Sequence, residues 1–513
     1  MKRPSLVSQG SLNRLLQAAA EAWKRCDYPS ALETLERASR LNPSNAAILL
    51  DLGRKQGLRQ NYANAERWFE QAVRVSPRKT ETLALAGVNA RDFRHPDLAE
   101  RYLRRAVEQK DAAPEMLAEL AEICERRRRN NEAAELVQRA LRQNPNCAAA
   151  LLVRARLEHQ AGRPETAETI LRSFPASTPS PALVRAGYEL GRLLDRQGRY
   201  DEAMEAFSKA KALQLPQAGR SAYELKIIRA RIQHMTVHTT ASVLQEWSAA
   251  AAALEPHHRL TLLGGHPRSG TTLLEQVLDA HPDAVSAEET EDFYNEAFGP
   301  LLQGHPDDTA MFDGLAKAAP QALQRARQNY FRAMESSLGQ TVGTRLLIDK
   351  NPSYTFLVPG FVRIFPESKL LIALRDPRDV VLSCFMQDIP LNQAGAAFLA
   401  LDTAAAEYGA LIGGWLQIKP LLKNPWLEVR YEDMVEDLES VARKTLDFLG
   451  LPWDERVLGF DQHARQKIVR SPTYADVTQP VYKRAKGRWH HYRKYLEPHL
   501  AKLEPFVKIF GYE

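Results

Sequence analysis

Leu260-Thr261-Leu262-Leu263 is a short apolar run that leads into Gly264-Gly265-His266-Pro267-Arg268-Ser269-Gly270-Thr271-Thr272 and then into a helix-like stretch, Leu273 to Ala280. Strand, glycine loop and helix in that order make an anion site, because loop amides and the free N–H groups of the first helical turn converge on one spot. Gly265 and Gly270 keep the five-residue separation of a Walker A loop, and Thr272 stands at its hydroxyl position. Thr271, however, occupies the place of the Walker lysine. A nucleotide triphosphatase needs that lysine across its β- and γ-phosphates, together with a hydroxyl on magnesium. Here the cation is Arg268, inside the loop. The loop can still clasp a phosphate-linked anion, with Arg268, Ser269, Thr271 and Thr272 as donors; the competing reading is a bare glycine turn.

Three further strand ends surround this loop in the chain order. Lys369-Leu370-Leu371-Ile372-Ala373-Leu374 is near-continuously apolar, as a buried parallel strand is, and it ends in Arg375-Asp376-Pro377-Arg378-Asp379 before a helix over Val380 to Gln387. Leu346-Leu347-Ile348-Asp349 is a second such run, ending at Lys350 and Asn351-Pro352. Its terminal aspartate imitates a Walker B strand, which keeps a P-loop kinase or ATPase open as an alternative. Trp426 to Asp433 reads as a third strand running into a helix start, with Tyr431 at the junction.

Pro267-Arg268-Ser269-Gly270-Thr271-Thr272-Leu273-Leu274, followed by Leu278-Asp279-Ala280-His281-Pro282 and Glu288-Glu289-Thr290, resembles the sulfotransferases that use 3′-phosphoadenosine 5′-phosphosulfate, and among them the tyrosylprotein sulfotransferases. The likeness runs from about Leu260 to the C-terminus. It implies a phosphosulfate loop at Arg268 to Thr272, Gly270 included, and a 3′-phosphate site at Arg375 and Ser383, where arginine suits a planar, paired contact. It implies a nucleotide contact at Tyr431 and a nucleotide-covering segment over Val469 to Tyr482 that contains Ser471, ending in Gly487-Arg488-Trp489. By the same resemblance Glu289 is the base that takes the acceptor's proton, while Lys350 donates with Arg268 to the leaving oxygen. A sulfuryl group bears less negative charge than a phosphoryl group, so no metal is expected. The family's late transition-state serine has no counterpart between Gln462 and Lys467, where His463 or Lys467 stands instead. Lys483, Arg484, Lys486 and Arg488 either line the donor's phosphate or are solvated.

Upstream, the chain repeats with a period of 34. Ala31, Ala65, Ala99 and Ala133 form one series, Ala38, Ala72, Ala106 and Ala140 another, and Gly53, Gly87, Ala121 and Ala155 a third. Pro43, Pro77 and Pro145 share a register in which Asp111 fills the missing slot; Tyr28, Tyr62 and Tyr200 stand three before an alanine. Small residues let two antiparallel helices approach, and proline ends the second. The pattern resembles the tetratricopeptide repeat over residues 11–215, about six units, an array whose concave face binds a protein or peptide segment or serves only as scaffold or self-association surface. Arg126-Arg127-Arg128-Arg129 reads as solvated helix ends.

The expected architecture is therefore multidomain: an all-α repeat superhelix over 1–215, a stiff helical connector over 216–255 that ends in Ala249 to Ala253, and an α/β P-loop-like sulfotransferase domain with a parallel sheet over 256–513. At 513 residues and about 150 per domain, two or three domains fit. The net charge of +6 is too dilute to imply nucleic acid, and no apolar run approaches a membrane span. Cys26, Cys124, Cys147 and Cys384 lack metal or disulfide spacing, and the N-terminus lacks a signal-peptide core, so the expected location is cytoplasmic. The expected reaction is sulfuryl transfer to a protein tyrosine, with a carbohydrate, lipid or small phenol as alternative acceptors and an inactive transferase behind a repeat scaffold as a non-enzymatic alternative.

Overall fold

The computed structural model describes residues 6–24, 27–93, 95–174, 180–255, 258–302, 310–389, 391–392, 394–466, 481 and 483–512. It divides into two compact units, Met1–Leu193 and Leu194–Glu513.

The first unit is a run of helical hairpins: Leu6–Lys24 with Tyr28–Leu41, Ala46–Leu58 with Tyr62–Val75, Lys79–Asp92 with Pro96–Val107, Pro114–Arg126 with Asn130–Gln143, and Ala148–Gln160 with Pro164–Arg172. The alanines of both 34-residue series are fully buried. Gly53 shows why the positions are small, since a Cβ there would lie 2.4 Å from the Phe69 ring of the partner helix; at Gly87 it would lie 2.7 Å from Leu103. Pro43, Pro77 and Pro145 all fall between helices. The arginine run is not simply solvated. Arg127 and Arg129 lie 3.1 and 2.7 Å from Glu100, a buried carboxylate of the preceding hairpin that needs counter-charge.

The second unit is built on five parallel strands, β1 (Leu260–Gly265), β2 (Ala284–Glu288), β3 (Leu346–Lys350), β4 (Lys369–Leu374) and β5 (Trp426–Arg430), in the order β2-β3-β1-β4-β5. Register pairs Leu263 with Lys350, Gly265 with Ala373, Glu288 with Lys350 and Leu374 with Arg430. One face packs Leu263, Ile348, Leu371 and Val429 against helices Thr271–Asp279 and Leu438–Leu449. On the other face the helix Pro320–Leu338 reaches β3 through Tyr330, whose hydroxyl donates to Asp349 at 2.9 Å. Helices thus cover both faces, as an all-parallel sheet requires.

The helices Tyr200–Gln214, Gly219–His238 and Ala241–Ala250 fall within this second unit. Arg229, on the second of them, donates to Glu407 at 2.9 Å, and Lys211 on the first donates to the Gln387 carbonyl at 3.1 Å. The alanine run closes one helix at Ala250 and continues as a 3₁₀ turn over Ala251–Ala253.

Candidate functional site

Because every strand is parallel, the five carboxyl ends share one edge of the sheet, where ligands of open α/β folds bind. Each contributes a residue singled out from sequence: β1 the loop at Arg268 to Thr272, β2 Glu289, β3 Lys350, β4 Arg375 and β5 Tyr431. The chain moves from β1 to one side through β2 and β3, then to the other through β4 and β5. Between β1 and β4 lies the point where the order reverses.

The loop is shaped for a close backbone approach. Gly265 (φ +132°) and Gly270 (φ +95°) adopt conformations that glycine accommodates, and a Cβ on Gly270 would lie 2.7 Å from the Tyr431 ring. The Thr355 hydroxyl donates to the Gly265 carbonyl and accepts from its amide, each at 2.7 Å, tying the strand end to the turn after β3. Gly270 precedes the helix Thr271–Asp279, so Thr271 and Thr272 occupy its first turn. Ser269 and Thr271 are buried, and the Ser269 hydroxyl has no hydrogen-bond partner.

Arg268 and Ser383 were expected to serve opposite ends of one donor, yet the Arg268 Nε donates to the Ser383 hydroxyl at 3.1 Å. Arg268 sits at φ +74°, a left-handed conformation for a non-glycine residue, so the peptide on either side is turned from the ordinary loop path. Arg375 lies beside them. Its guanidinium donates to the Arg268 carbonyl at 3.3 Å and to the Ala485 carbonyl, stands 3.7 Å from Asp379, and lies 4.9 Å from the Tyr431 ring centre. Its buried Nε has no hydrogen-bond partner. The Asp379 carboxylate accepts from the Gly487 and Trp489 amides, each at 2.8 Å, and so fastens the C-terminal segment next to Arg375. Arg378 points elsewhere, pairing with Asp376 at 2.7 Å.

On the β3 side, Lys350 is fully buried, and its Nζ donates to Glu289 Oε1 at 2.7 Å. Glu289 has about a third of its side chain exposed and φ +41°, held by a hydrogen bond from its amide to the Lys350 carbonyl at 2.9 Å. Sequence reading did not single out Glu275, whose Oε2 lies 3.3 Å from the same ammonium and which is buried. Its signal is a lone carboxylate within the buried first turns of the loop's own helix. Asp349 faces the other way, as alternation along a strand demands. Burial raises its pKa to about 7, Asp292 adding to the rise, against the Tyr330 hydrogen bond and the Lys350 charge.

Not every named residue joins this edge. His463 pairs with Asp279 at 2.9 Å, at the end of the helix opposite the loop. Lys483 and Lys486 pair with Glu436, and Arg488 with Asp195. Ser471 and Lys467 lie outside the described residues. A basic group that sequence reading passed over is His266, fully buried in the loop, where desolvation lowers its pKa to about 4 and leaves it neutral.

A family model described as the sulfotransferase family matches residues 261–455, and tetratricopeptide-repeat models match 16–79, 85–141, 126–186 and 184–215. Together these matches support a tetratricopeptide-repeat-containing sulfotransferase family for the chain. The sulfotransferase match begins within β1 and ends beyond β5, so it covers all five strand ends. An uncharacterized protein of Aquifex aeolicus is 26% identical over 422 residues, 79% of this chain and 52% of that protein. The chain thus spans about half the length of that relative. Protein-tyrosine sulfotransferase 2 of Gallus gallus is 27% identical over 263 residues, 50% of this chain and 69% of that protein. Among solved structures, the sulfotransferase domain of the Synechococcus PCC 7002 olefin synthase aligns over 46% of this chain and 88% of its own, with 23% identity and a TM-score of 0.34. Among the described residues, no helix is long and apolar enough to cross a membrane.

Proposed function

We propose that the second unit transfers a sulfuryl group from 3′-phosphoadenosine 5′-phosphosulfate to a hydroxyl, and that the acceptor is a protein tyrosine. The observation that carries this reading is the convergence at one sheet edge of a lysine-free glycine loop, the Arg268–Ser383–Arg375 cluster and the Lys350–Glu289 pair. The buried Ser269 hydroxyl and Arg375 Nε, both without partners, fit an anionic ligand that would satisfy them. The donor supplies an activated sulfuryl group on a phosphate leaving group. Arg268, Ser269, Thr271, Thr272 and the amides after Gly270 would hold its phosphosulfate, Arg375 and Ser383 its 3′-phosphate, and Tyr431 its nucleoside side. With its Nε on Ser383, the terminal N–H groups of Arg268 are the ones that would reach the leaving oxygen. Glu289, partly exposed, would accept the acceptor's proton, and Lys350 would stabilise the charge that develops on the leaving oxygen.

A kinase or ATPase reading has less support: Thr271 stands where the phosphate-spanning lysine belongs, and Asp349 is turned to Tyr330, away from the face that carries Lys350. The tyrosine acceptor rests on the relatives named protein-tyrosine sulfotransferases and on the repeats of residues 11–215, which would present a protein segment. Buried free thiols at Cys124, Cys147 and Cys384 suit a reducing, cytoplasmic setting. The test is mass spectrometry of a tyrosine-containing peptide, an oligosaccharide, a lipid and a small phenol, each incubated with the chain and the donor. A gain of one sulfuryl group on the peptide is expected. Transfer to another acceptor alone would reassign the substrate, and preference for ATP with magnesium in calorimetry would overturn the class.

A further inference from the structure

Lys350 is an ammonium with no access to water, and its counter-charge is divided between two carboxylates of different character. Glu289, at 2.7 Å, is about a third exposed; Glu275, at 3.3 Å, is 1% exposed. Glu275 is itself held, since the Ser286 hydroxyl of β2 donates to its Oε1 at 2.6 Å. Asp349, next in β3, accepts from Tyr330 on the opposite face of the sheet and feels Lys350 only through its charge.

We propose that Glu275 is a positioning residue for the transfer step, keeping Lys350 charged and in place while Glu289 takes up the acceptor's proton. The proposal rests on the roles given above to Glu289 and Lys350. The physical need is simple. As the acceptor oxygen bonds to sulfur, the bond from sulfur to the donor's bridging phosphate oxygen breaks and its electron pair leaves with the phosphate; the acceptor's proton passes to Glu289, and that carboxylate becomes neutral. Lys350 would then be a buried cation that has lost the nearer of its two carboxylates before the leaving oxygen carries its full charge, an arrangement that favours neutralising or moving the group. Glu275 supplies the charge that does not change through the cycle. It also lies one helical turn beyond Thr271, so the same helix that opens the anion loop fixes the ammonium relative to it. Once transfer is complete, the exposed side of Glu289 can return its proton to solvent.

The deciding experiment is nitrogen NMR of the lysine ammonium groups in the full chain, because it needs neither donor nor acceptor. Glu289→Gln mimics the protonated base. Lys350 should remain an ammonium at neutral pH in Glu289→Gln, and should lose its proton or its ordered signal in Glu275→Gln combined with Glu289→Gln. An unchanged ammonium in the double variant would overturn the proposal. In turnover, Glu275→Gln should lower kcat by about tenfold to a hundredfold, as loss of positioning does, with the KM for donor within about twofold. Its acidic pH limb should move to lower pH, because the lysine's charge then falls on Glu289 alone. Glu275→Asp should restore part of kcat. A fallen kcat with an unmoved limb would mean a structural role only. Should Glu275→Gln fail to fold, Ser286→Ala carries the same test with a smaller change in kcat and limb. Wild-type chain inactive with every acceptor would instead sink the sulfuryl-transfer reading, and the NMR result would still stand or fall by itself.

Discussion

Glu122 in the repeat array, half-buried, and Asp349 in the second unit, fully buried, are carboxylates whose surroundings drive them in opposite directions. Burial by itself would raise Glu122, but Arg156, Arg185 and Arg126 outweigh it and bring the group down to about 2. Asp349 has one hydroxyl donor and a lysine that its neighbours share, so burial prevails. The same contrast appears in the backbone. Of the four non-glycine residues at positive φ among the described residues, Gln60 and Arg128 lie just past array helices, whereas Arg268 and Glu289 lie at the strand-end site. A helix end uses the left-handed conformation to satisfy its last carbonyls. In the second unit it turns two ionisable side chains toward a common edge. Both regions hold buried polar atoms without a hydrogen bond, Trp68 Nε1 in the array and Ser269 Oγ and Arg375 Nε at the sheet edge; at the edge they flank the glycine loop, where an anion can meet them.

The sharpest break in that comparison should come from the site itself. Glu289→Gln and Lys350→Met are each expected to cut sulfuryl transfer by about a hundredfold or more while the chain remains folded. Glu122→Gln should leave turnover per folded molecule unchanged, measured beside them in the same assay. If the array variant lost as much turnover as the site variants, the division between the regions would fail.

Glu122→Gln should show its effect in stability. The folded pKa lies below the ordinary 4.5, so the ion pairs stabilise the array above about pH 4.5 and cease to do so as pH falls toward 2. The loss at pH 7 is on the order of 3 kcal/mol, from a shift of roughly two and a half units at 1.36 kcal/mol each. Urea unfolding of the array transition should therefore separate wild type and variant at pH 7 and bring them together near pH 2. A gap that stayed constant across this range would trace the effect to packing.

Two glycines sharpen the comparison further. Gly53 and Gly270 both exclude a Cβ, the first because of the Phe69 ring at 2.4 Å, the second because of Tyr431 at 2.7 Å and a φ of +95°. Replacement by alanine should destabilise each by about 1–3 kcal/mol through overpacking or backbone strain. Only Gly270→Ala should also weaken binding of the donor nucleotide in calorimetry. Equal loss of binding in Gly53→Ala would contradict a site confined to the sheet edge.

Much of this was legible in the sequence, for reasons that differ by region. The 34-residue series reports helix contacts directly, because a hairpin interface repeats and Ala65 or Gly53 has no other reason to recur. β1, β3 and β4 were visible as apolar runs, since strands buried on both faces cannot alternate. β2, Ala-Val-Ser-Ala-Glu at the sheet edge, carries no such run and was not anticipated. At the site, Arg268, Glu289, Lys350, Arg375 and Tyr431 came through the motif likeness and do meet at one edge. Two features could not be read from spacing. One is the direct Arg268–Ser383 bond, which depends on a left-handed arginine; the other is Glu275, whose importance comes only from β2 and β3 placing Ser286 and Lys350 against it. The arginine run at 126–129 was legible only in part: Arg126 and Arg128 are exposed at the helix end as read, whereas Arg127 and Arg129 pair with Glu100 of another hairpin.

The smallest expected effect concerns Asp349, and it tests whether a buried carboxylate with few partners carries the opposite pH signature to Glu122. Its folded pKa of about 7 exceeds the ordinary carboxylate value, so the native state holds a proton that the unfolded chain has already released. Stability from this group is therefore complete at low pH and is lost as pH rises through about 7. Between pH 6 and pH 8 wild type should lose on the order of 1 kcal/mol from this source, about one unit's worth of differential proton binding. Asp349→Asn keeps an oxygen to accept from Tyr330 and has no charge to bury. The variant should accordingly gain on wild type by that amount across the interval, in denaturant titrations that follow the second unit. A constant difference would show that the carboxylate is already ionised at pH 6. Lys350, rather than burial, would then govern Asp349, and the contrast between the two regions would narrow to the number of arginines each acid can reach.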